Sequence, residues 1–208
     1  MKINSQHEFI EKELDTRLLL TPYRYQTNWH VITGASCSGK TTLINLIENN
    51  GFKTIPEVAR QYFEGELARG HKLEAIRSDR AALTIQIYHR WAKSLAEFCP
   101  DEFLFFDRGL PDAFAFFRYA GMDPNEILLD CLNYRYASVF MLDRLPYLKD
   151  GVRAGDDQYA EYLDEWIYCD YRSLGYEVVR VPVLPPEERL ALVLTSLYEQ
   201  GFLKKPDG

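Results

Sequence analysis

The eight residues 34–41 constrain this chain more than any other segment, because they fit the pattern G-x-x-x-x-G-K-[S/T] at every defined position. Small residues in such a loop let backbone N–H groups converge on phosphate oxygens, and the helix that follows adds its positive N-terminal end. An apolar strand is predicted before the loop and an amphipathic helix after it, which is the context that the pattern requires. We therefore expect a nucleoside triphosphate to contact Gly34, Ala35, Ser36, Cys37, Ser38, Gly39, Lys40, Thr41 and Thr42.

Strand and helix patterns alternate along the rest of the chain, which predicts an α/β fold with a parallel sheet between two layers of helices. Short apolar runs predict strands at 29–33, 52–56, 103–106, 138–142 and 177–181. Helices are expected at 39–49, 57–69, 73–98, 111–119, 125–134, 158–174 and 185–198.

These elements predict one domain over residues 29–203. An extension, residues 1–28, precedes it and holds a candidate helix at 7–20, while residues 204–208 are expected to form a loose tail. The role of the extension is left open.

Charged side chains follow two of the predicted strands, at the sheet edge where ligands bind in folds of this class. Within the phosphate loop, Lys40 is expected to reach the β and γ phosphates. Asp107 ends the third strand and, with Thr41, is a candidate ligand of Mg²⁺; Arg108 next to it suits a transferring phosphoryl group. Glu57 follows the second strand, so that either Glu57 or Asp107 is a candidate base for an acceptor hydroxyl. Arg60 lies one helical turn after Glu57 and is expected to hold an anionic group of the acceptor.

Four segments together resemble the NadR-like AAA-type ATP-binding family, among the nucleoside and nucleotide kinases of the P-loop class. They are GASCSGKTT at 34–42, EVAR at 57–60, DRGLPD at 107–112 and DGVR at 150–153. The resemblance implies a three-layer fold with the strand order 2-3-1-4-5, numbered along the chain. It also implies that Arg153 lies in a lid over the phosphates and stabilises the transferring phosphoryl group.

The resemblance further suggests which residues contact the two bases. The loop that contains Val183 and Leu184 is expected to flank the nucleotide base, but it has no side-chain donor to choose between adenine and guanine. ATP is therefore expected and GTP is left open. Gln86, on the long predicted helix, is a candidate contact to the base of the acceptor.

Composition excludes several other classes of protein. The net charge of −7 disfavours general binding to nucleic acid or to anionic membranes. The four cysteines form no CxxC pair, which argues against a zinc site and a disulfide framework and is typical of a reducing compartment. The sequence shows no signal peptide and no run of about 20 apolar residues, so we expect a cytoplasmic protein.

Two functions fit these residues. The first is a kinase that transfers the γ-phosphoryl group of ATP·Mg²⁺ to a small nucleoside-, riboside- or nucleotide-like acceptor. The second is a regulatory switch that binds and slowly hydrolyses ATP or GTP without a small-molecule acceptor. The sequence does not name the acceptor and leaves the oligomeric state open.

Overall fold

A computed structural model describes residues 10–145 and 157–204, which fold around a five-stranded parallel sheet. The strands are β1 (Trp29–Thr33), β2 (Thr54–Ile55), β3 (Leu104–Asp107), β4 (Ser138–Leu142) and β5 (Val178–Val181). They run in the order β2-β3-β1-β4-β5, which confirms the order 2-3-1-4-5. All four neighbouring pairs are parallel, as expected of apolar strands that are covered on both faces.

Helices cover both faces of the sheet, which confirms the three layers. The helices are α1 (Lys40–Asn49), α2 (Val58–Ala68), α3 (Leu73–Ile76), α4 (Arg80–Leu95), α5 (Ala113–Tyr119), α6 (Leu128–Cys131), α7 (Asp157–Ser173) and α8 (Pro186–Glu199). One face of the sheet packs against α1 and α8 through residues such as Ile32 and Phe140, and the other packs against α4, α5 and α7 through residues such as Val31 and Phe106. Neighbouring residues of a strand thus enter opposite cores.

The long helix expected at 73–98 is instead two helices, α3 and α4. The Asp79 carboxylate accepts a hydrogen bond from the N–H of Ala82 at 2.9 Å and caps α4, while the Ser78 hydroxyl donates to the carbonyl of Ala75 at 2.7 Å. Serine and aspartate side chains satisfy helix-end groups in this way, so the pair interrupts a continuous apolar pattern. The helix expected at 125–134 is likewise shorter: a 3₁₀ turn, Pro124–Ile127, leads into α6, and a short strand follows at Tyr134–Arg135.

The described part of the N-terminal extension is an extended segment across α5 in place of the expected helix at 7–20. Its only helical turn is the 3₁₀ turn Leu18–Leu20, and a two-residue strand, Tyr25–Gln26, pairs with Tyr134–Arg135. The carbonyl of Lys12 accepts from Arg118 Nε at 2.6 Å, and the N–H of Asp15 donates to Asn125 Oδ1 at 2.7 Å. These backbone groups bond to the domain instead of to each other, which leaves none of them for a helix.

Within residues 10–145 and 157–204, no helix is both long and apolar enough to cross a membrane. The four cysteines, all within this part of the chain, are free; Cys37, Cys99 and Cys169 are exposed and Cys131 is buried.

Candidate active site

The phosphate loop joins β1 to α1 and contains three residues in the left-handed region of backbone conformation. Gly34 has φ 135°, Cys37 has φ 60° and Gly39 has φ 91°. A Cβ atom on Gly34 would lie 2.7 Å from the carbonyl oxygen of Leu142, so the first position of the loop accepts only glycine. The loop therefore packs closely against the end of β4, and α1 begins directly after it at Lys40.

Lys40 lies inside the loop and is 8% exposed. Its Nζ donates to the carbonyls of Gly34 at 3.0 Å and Ala35 at 2.7 Å. Burial lowers the pKa of Lys40 to about 7, and the nearby Arg108 guanidinium acts in the same direction. The positive charge of Lys40 is thus only weakly compensated by its neighbours, which favours the approach of an anion to the loop.

Glu57, Arg108 and Asp112 form one chain of ion pairs at the ends of β2 and β3. Arg108 Nε donates to Glu57 Oε1 and Arg108 Nη1 donates to Asp112 Oδ2, both at 2.8 Å. Although burial opposes the shift, these two carboxylates hold the pKa of Arg108 above its usual value. Burial raises the pKa of Glu57, but Arg108 and Lys40 outweigh it and leave a net lowering, so Glu57 is ionised at neutral pH. Arg108 has φ 73°, which directs its side chain back towards the site at a cost in backbone strain.

Asp112 is completely buried and accepts hydrogen bonds from three side chains. Besides Arg108, it accepts from Thr33 Oγ1 at 2.5 Å and from the Tyr171 hydroxyl at 2.8 Å. It thus joins the end of β1, the segment after β3 and helix α7.

Asp107 and Thr41 were the expected ligands of Mg²⁺. Asp107 is 7% exposed, and its Oδ1 atom is buried without a hydrogen-bond partner among the described residues. Burial and the negative charge of Glu57 raise the pKa of this carboxyl. Such an unpaired oxygen fits a hydrated cation, whereas the described residues contain no group of three or more His, Cys, Asp or Glu side chains that could hold a metal alone. Mg²⁺ commonly combines one carboxylate with water and substrate phosphates, so the residues fit that ion.

Arg60 contacts Thr41, one of the two expected ligands of Mg²⁺. Its Nη2 donates to Thr41 Oγ1 at 3.0 Å, although the sequence suggested that Arg60 faces an acceptor. The Thr41 hydroxyl oxygen thus uses one of its two lone pairs for Arg60, and the other is left for a cation.

Gln86 lines a cavity of about 380 Å³ between α2, α3 and α4. Its Oε1 accepts a hydrogen bond from the Tyr62 hydroxyl at 2.6 Å, which fixes the orientation of the amide. The same cavity is bordered by Glu66, His71, Ser78 and Asp79. Its size falls within the range of small-molecule pockets.

Two further expected site residues, Val183 and Leu184, lie in the loop between β5 and α8. Val183 is 47% exposed and Leu184 is half-buried. Arg153 and the rest of the expected lid at 150–153 lie outside the described residues.

The sequence did not assign a role to Arg189, which lies in the first turn of α8. It is 3% exposed, and its Nη1 donates to the carbonyl oxygen of Ser38 at 2.6 Å. Asp112 was part of the quoted DRGLPD motif but received no role of its own. No local pattern reveals either contact, because the partners are far away in sequence.

An AAA domain family matches residues 29–189, and solved structures share the fold. The NadR protein in complex with NR has a TM-score of 0.63 and 15% identity, covering 88% of this chain and 54% of NadR. Deoxyadenosine kinase from M. mycoides has a TM-score of 0.56 and 18% identity, covering 82% of this chain and 98% of the kinase. Thymidylate kinase from Candida albicans has a TM-score of 0.56 and 12% identity, covering 88% of this chain and 95% of that kinase.

The chain spans about half the length of NadR and nearly all of either kinase. No curated protein matches the chain in sequence. With its NadR-like, kinase-like P-loop fold, and with a match over most of its length, the chain belongs to this AAA domain family.

Proposed function

We propose that the protein is a small-molecule kinase that transfers the γ-phosphoryl group of a purine nucleoside triphosphate to a nucleoside-, riboside- or nucleotide-like acceptor. ATP is the expected donor, with GTP as the alternative. The observation that carries the proposal is the paired arrangement of charges: the phosphate loop lies after β1, and Glu57, Asp107 and Arg108 lie at the ends of β2 and β3 beside it. This second cluster brings a carboxylate and a guanidinium group to the edge where an acceptor hydroxyl would meet the phosphoryl group.

The roles of the side chains follow from their surroundings. Lys40 meets the β and γ phosphates, and Arg108, held by two carboxylates, neutralises charge on the group in transfer. Glu57 is ionised and accepts the proton of the acceptor hydroxyl. Asp107 and Thr41 would hold Mg²⁺, which supplies positive charge to the phosphate oxygens. Arg153 is proposed to add a further cation when a lid closes, and closure also excludes water.

The cavity beside Gln86 is the proposed site of the acceptor base. The Tyr62 hydroxyl occupies the oxygen of the Gln86 amide, so the amide nitrogen is left to donate to a ligand. Deoxyadenosine kinase and thymidylate kinase are named for nucleoside and nucleotide acceptors, and NadR was solved with NR. These names support an acceptor of that size and chemistry.

The test is nucleoside diphosphate production with ATP or GTP across a panel of nucleosides, ribosides and nucleotides. We expect production that depends on one class of acceptor, and we expect Glu57→Gln to reduce it by about 100-fold, as loss of a general base does. Glu64→Gln on the exposed side of the same helix is the matched control and should retain activity.

Rapid phosphate release that is unchanged by every acceptor would overturn the kinase proposal and favour the regulatory switch. Lys40→Ala should remove most affinity for the nucleotide in either case. Unchanged binding by this variant, measured by calorimetry, would contradict the assignment of the phosphate loop itself.

A further inference from the structure

The guanidinium group of Arg189 holds two donors that have no partner. Its Nη1 is bound to the carbonyl of Ser38, whereas Nε and Nη2 are buried and unpaired among the described residues. Buried donors without a partner are rare in proteins, and each one calls for an explanation. In a planar guanidinium, the Nε–H bond and one N–H bond of Nη2 are parallel, so the unpaired atoms form a complete two-donor fork.

The positive charge of Arg189 is also poorly compensated. Burial lowers its pKa, and the charge of Asp143 opposes this shift. Asp143 is already bound to Arg180, whose Nε donates to it at 2.7 Å. Support for the phosphate loop accounts for Nη1 alone, because a single donor suffices for the Ser38 carbonyl. The fork therefore points to a bound molecule with two neighbouring acceptor atoms.

The order of the strands indicates which part of a nucleotide comes near Arg189. The triphosphate lies on the loop after β1, in the middle of the sheet. The ends of β2 and β3 on one side are occupied by the charged cluster of Glu57, Asp107 and Arg108. The base therefore extends to the other side, over the ends of β4 and β5. Arg189 lies on that side, at the start of the helix that follows β5.

Apolar side chains lie on the same side of the sheet as the Arg189 guanidinium group. A Cβ atom placed on Gly39 would lie 3.2 Å from Arg189 Nη1 and 3.8 Å from Leu145 Cδ1, so both side chains lie over the same glycine. Leu145 is 39% exposed and therefore presents apolar surface beside this glycine. Val183, in the loop before α8, exposes a further apolar surface.

We propose that the fork of Arg189 reads the purine base and makes the site prefer a guanine nucleotide to an adenine nucleotide. Guanine presents two neighbouring acceptors, O6 and N7, which match the two donors. Adenine presents N7 beside the N6 amino group, which would face a donor with a donor and leave one N–H unpaired. This inference rests on the proposed binding of a nucleotide to the phosphate loop. It favours GTP over ATP as the phosphoryl donor, a choice that the sequence left open.

Calorimetric titration with GDP and ADP tests the inference without an acceptor and without turnover. We expect the full chain to bind GDP roughly 10 to 100 times more tightly than ADP, the range for a bidentate contact to a base. We expect 7-deaza-GDP, which lacks the N7 acceptor, to bind more weakly than GDP. Arg189→Lys retains the charge and one donor for the Ser38 carbonyl but removes the fork, so it should bring the two affinities together. In that variant, 7-deaza-GDP and GDP should bind alike.

Two controls separate base recognition from loop support. Arg24→Lys, at an exposed site away from the loop, should retain the preference for GDP. Thermal unfolding of Arg189→Lys shows whether the variant is folded, and the 7-deaza comparison on the unmodified chain needs no variant at all. Equal affinities for GDP and ADP, or an equal loss of both in Arg189→Lys, would overturn this inference alone. Failure of the unmodified chain to bind either nucleotide would overturn the proposed function as well.

Discussion

Replacing Asp112 should destabilise the protein strongly, because its carboxylate is buried with three donors around it. In Asp112→Leu, Arg108 loses a buried partner, which typically costs about 3–5 kcal/mol, and two hydroxyl donors lose an acceptor at a further cost of about 1–3 kcal/mol each. We expect a loss of at least about 5 kcal/mol, against a total stability of about 5–15 kcal/mol for a domain. At about 2–4 °C per kcal/mol for a chain of this length, Tm should fall by about 10–20 °C.

Asp112→Asn separates the charge of this side chain from its shape. Asparagine still accepts from Thr33 and Arg108, and the Tyr171 hydroxyl can rotate to accept from the new amide. Only the charge-assisted part of the Arg108 contact is lost, so we expect about 2 kcal/mol of destabilisation.

Urea unfolding followed by circular dichroism at pH 7 measures the change in the free energy of unfolding for each variant. Asp101→Asn, at an exposed site, is the control and should be neutral. The reasoning is refuted if Asp112→Leu loses less than about 2 kcal/mol, or if asparagine is as damaging as leucine.

Three further predictions concern titration and reactivity. Because the pKa of Lys40 is about 7 in the nucleotide-free protein and bound phosphates raise it, nucleotide binding at pH 8 should take up close to one proton, measured by calorimetry in buffers of different ionisation enthalpy; a binding enthalpy that is the same in every buffer would contradict this. His30 is buried, which lowers its pKa to about 4 in the folded protein, so below pH 6.5 the unfolded chain binds a proton that the folded chain does not. The free energy of unfolding should therefore fall by about 3 kcal/mol between pH 6.5 and pH 4. A His30→Phe variant whose free energy of unfolding changes equally with pH would contradict this. Alkylation of Cys37, which is exposed in the phosphate loop, should lower nucleotide affinity, and Cys37→Ser should be resistant; equal sensitivity of the two proteins would place the effect at Cys99 or Cys169.

The sequence predicted the parts of the fold that depend on local pattern. A few neighbouring residues are enough to recognise the phosphate loop, each of the five strands and the charged residues at the strand ends. Glu57 and Arg108 are 51 positions apart; the sequence placed both at the carboxyl edge of the sheet but did not predict that they form an ion pair.

The contacts that the sequence missed depend on long-range packing. Asp112 meets Tyr171 across 59 positions, and Arg189 meets Ser38 across 151. Neither pairing has a periodic signal, and each residue taken alone resembles an ordinary surface charge on a helix. The break before α4 had a local signal in Ser78 and Asp79, but the apolar periodicity across it was stronger.

The two edges of the sheet limit self-association in different ways. An open edge strand offers unpaired N–H and C=O groups to a second chain, which is a common start of aggregation. On one side, β2 is only two residues long, so it gives a foreign strand almost no register to follow. On the other side, Arg180 of β5 is tied to Asp143 and Asp164, and a strand that docked there would have to bury charge. Both edges of this parallel sheet thus offer little that a second strand could pair with.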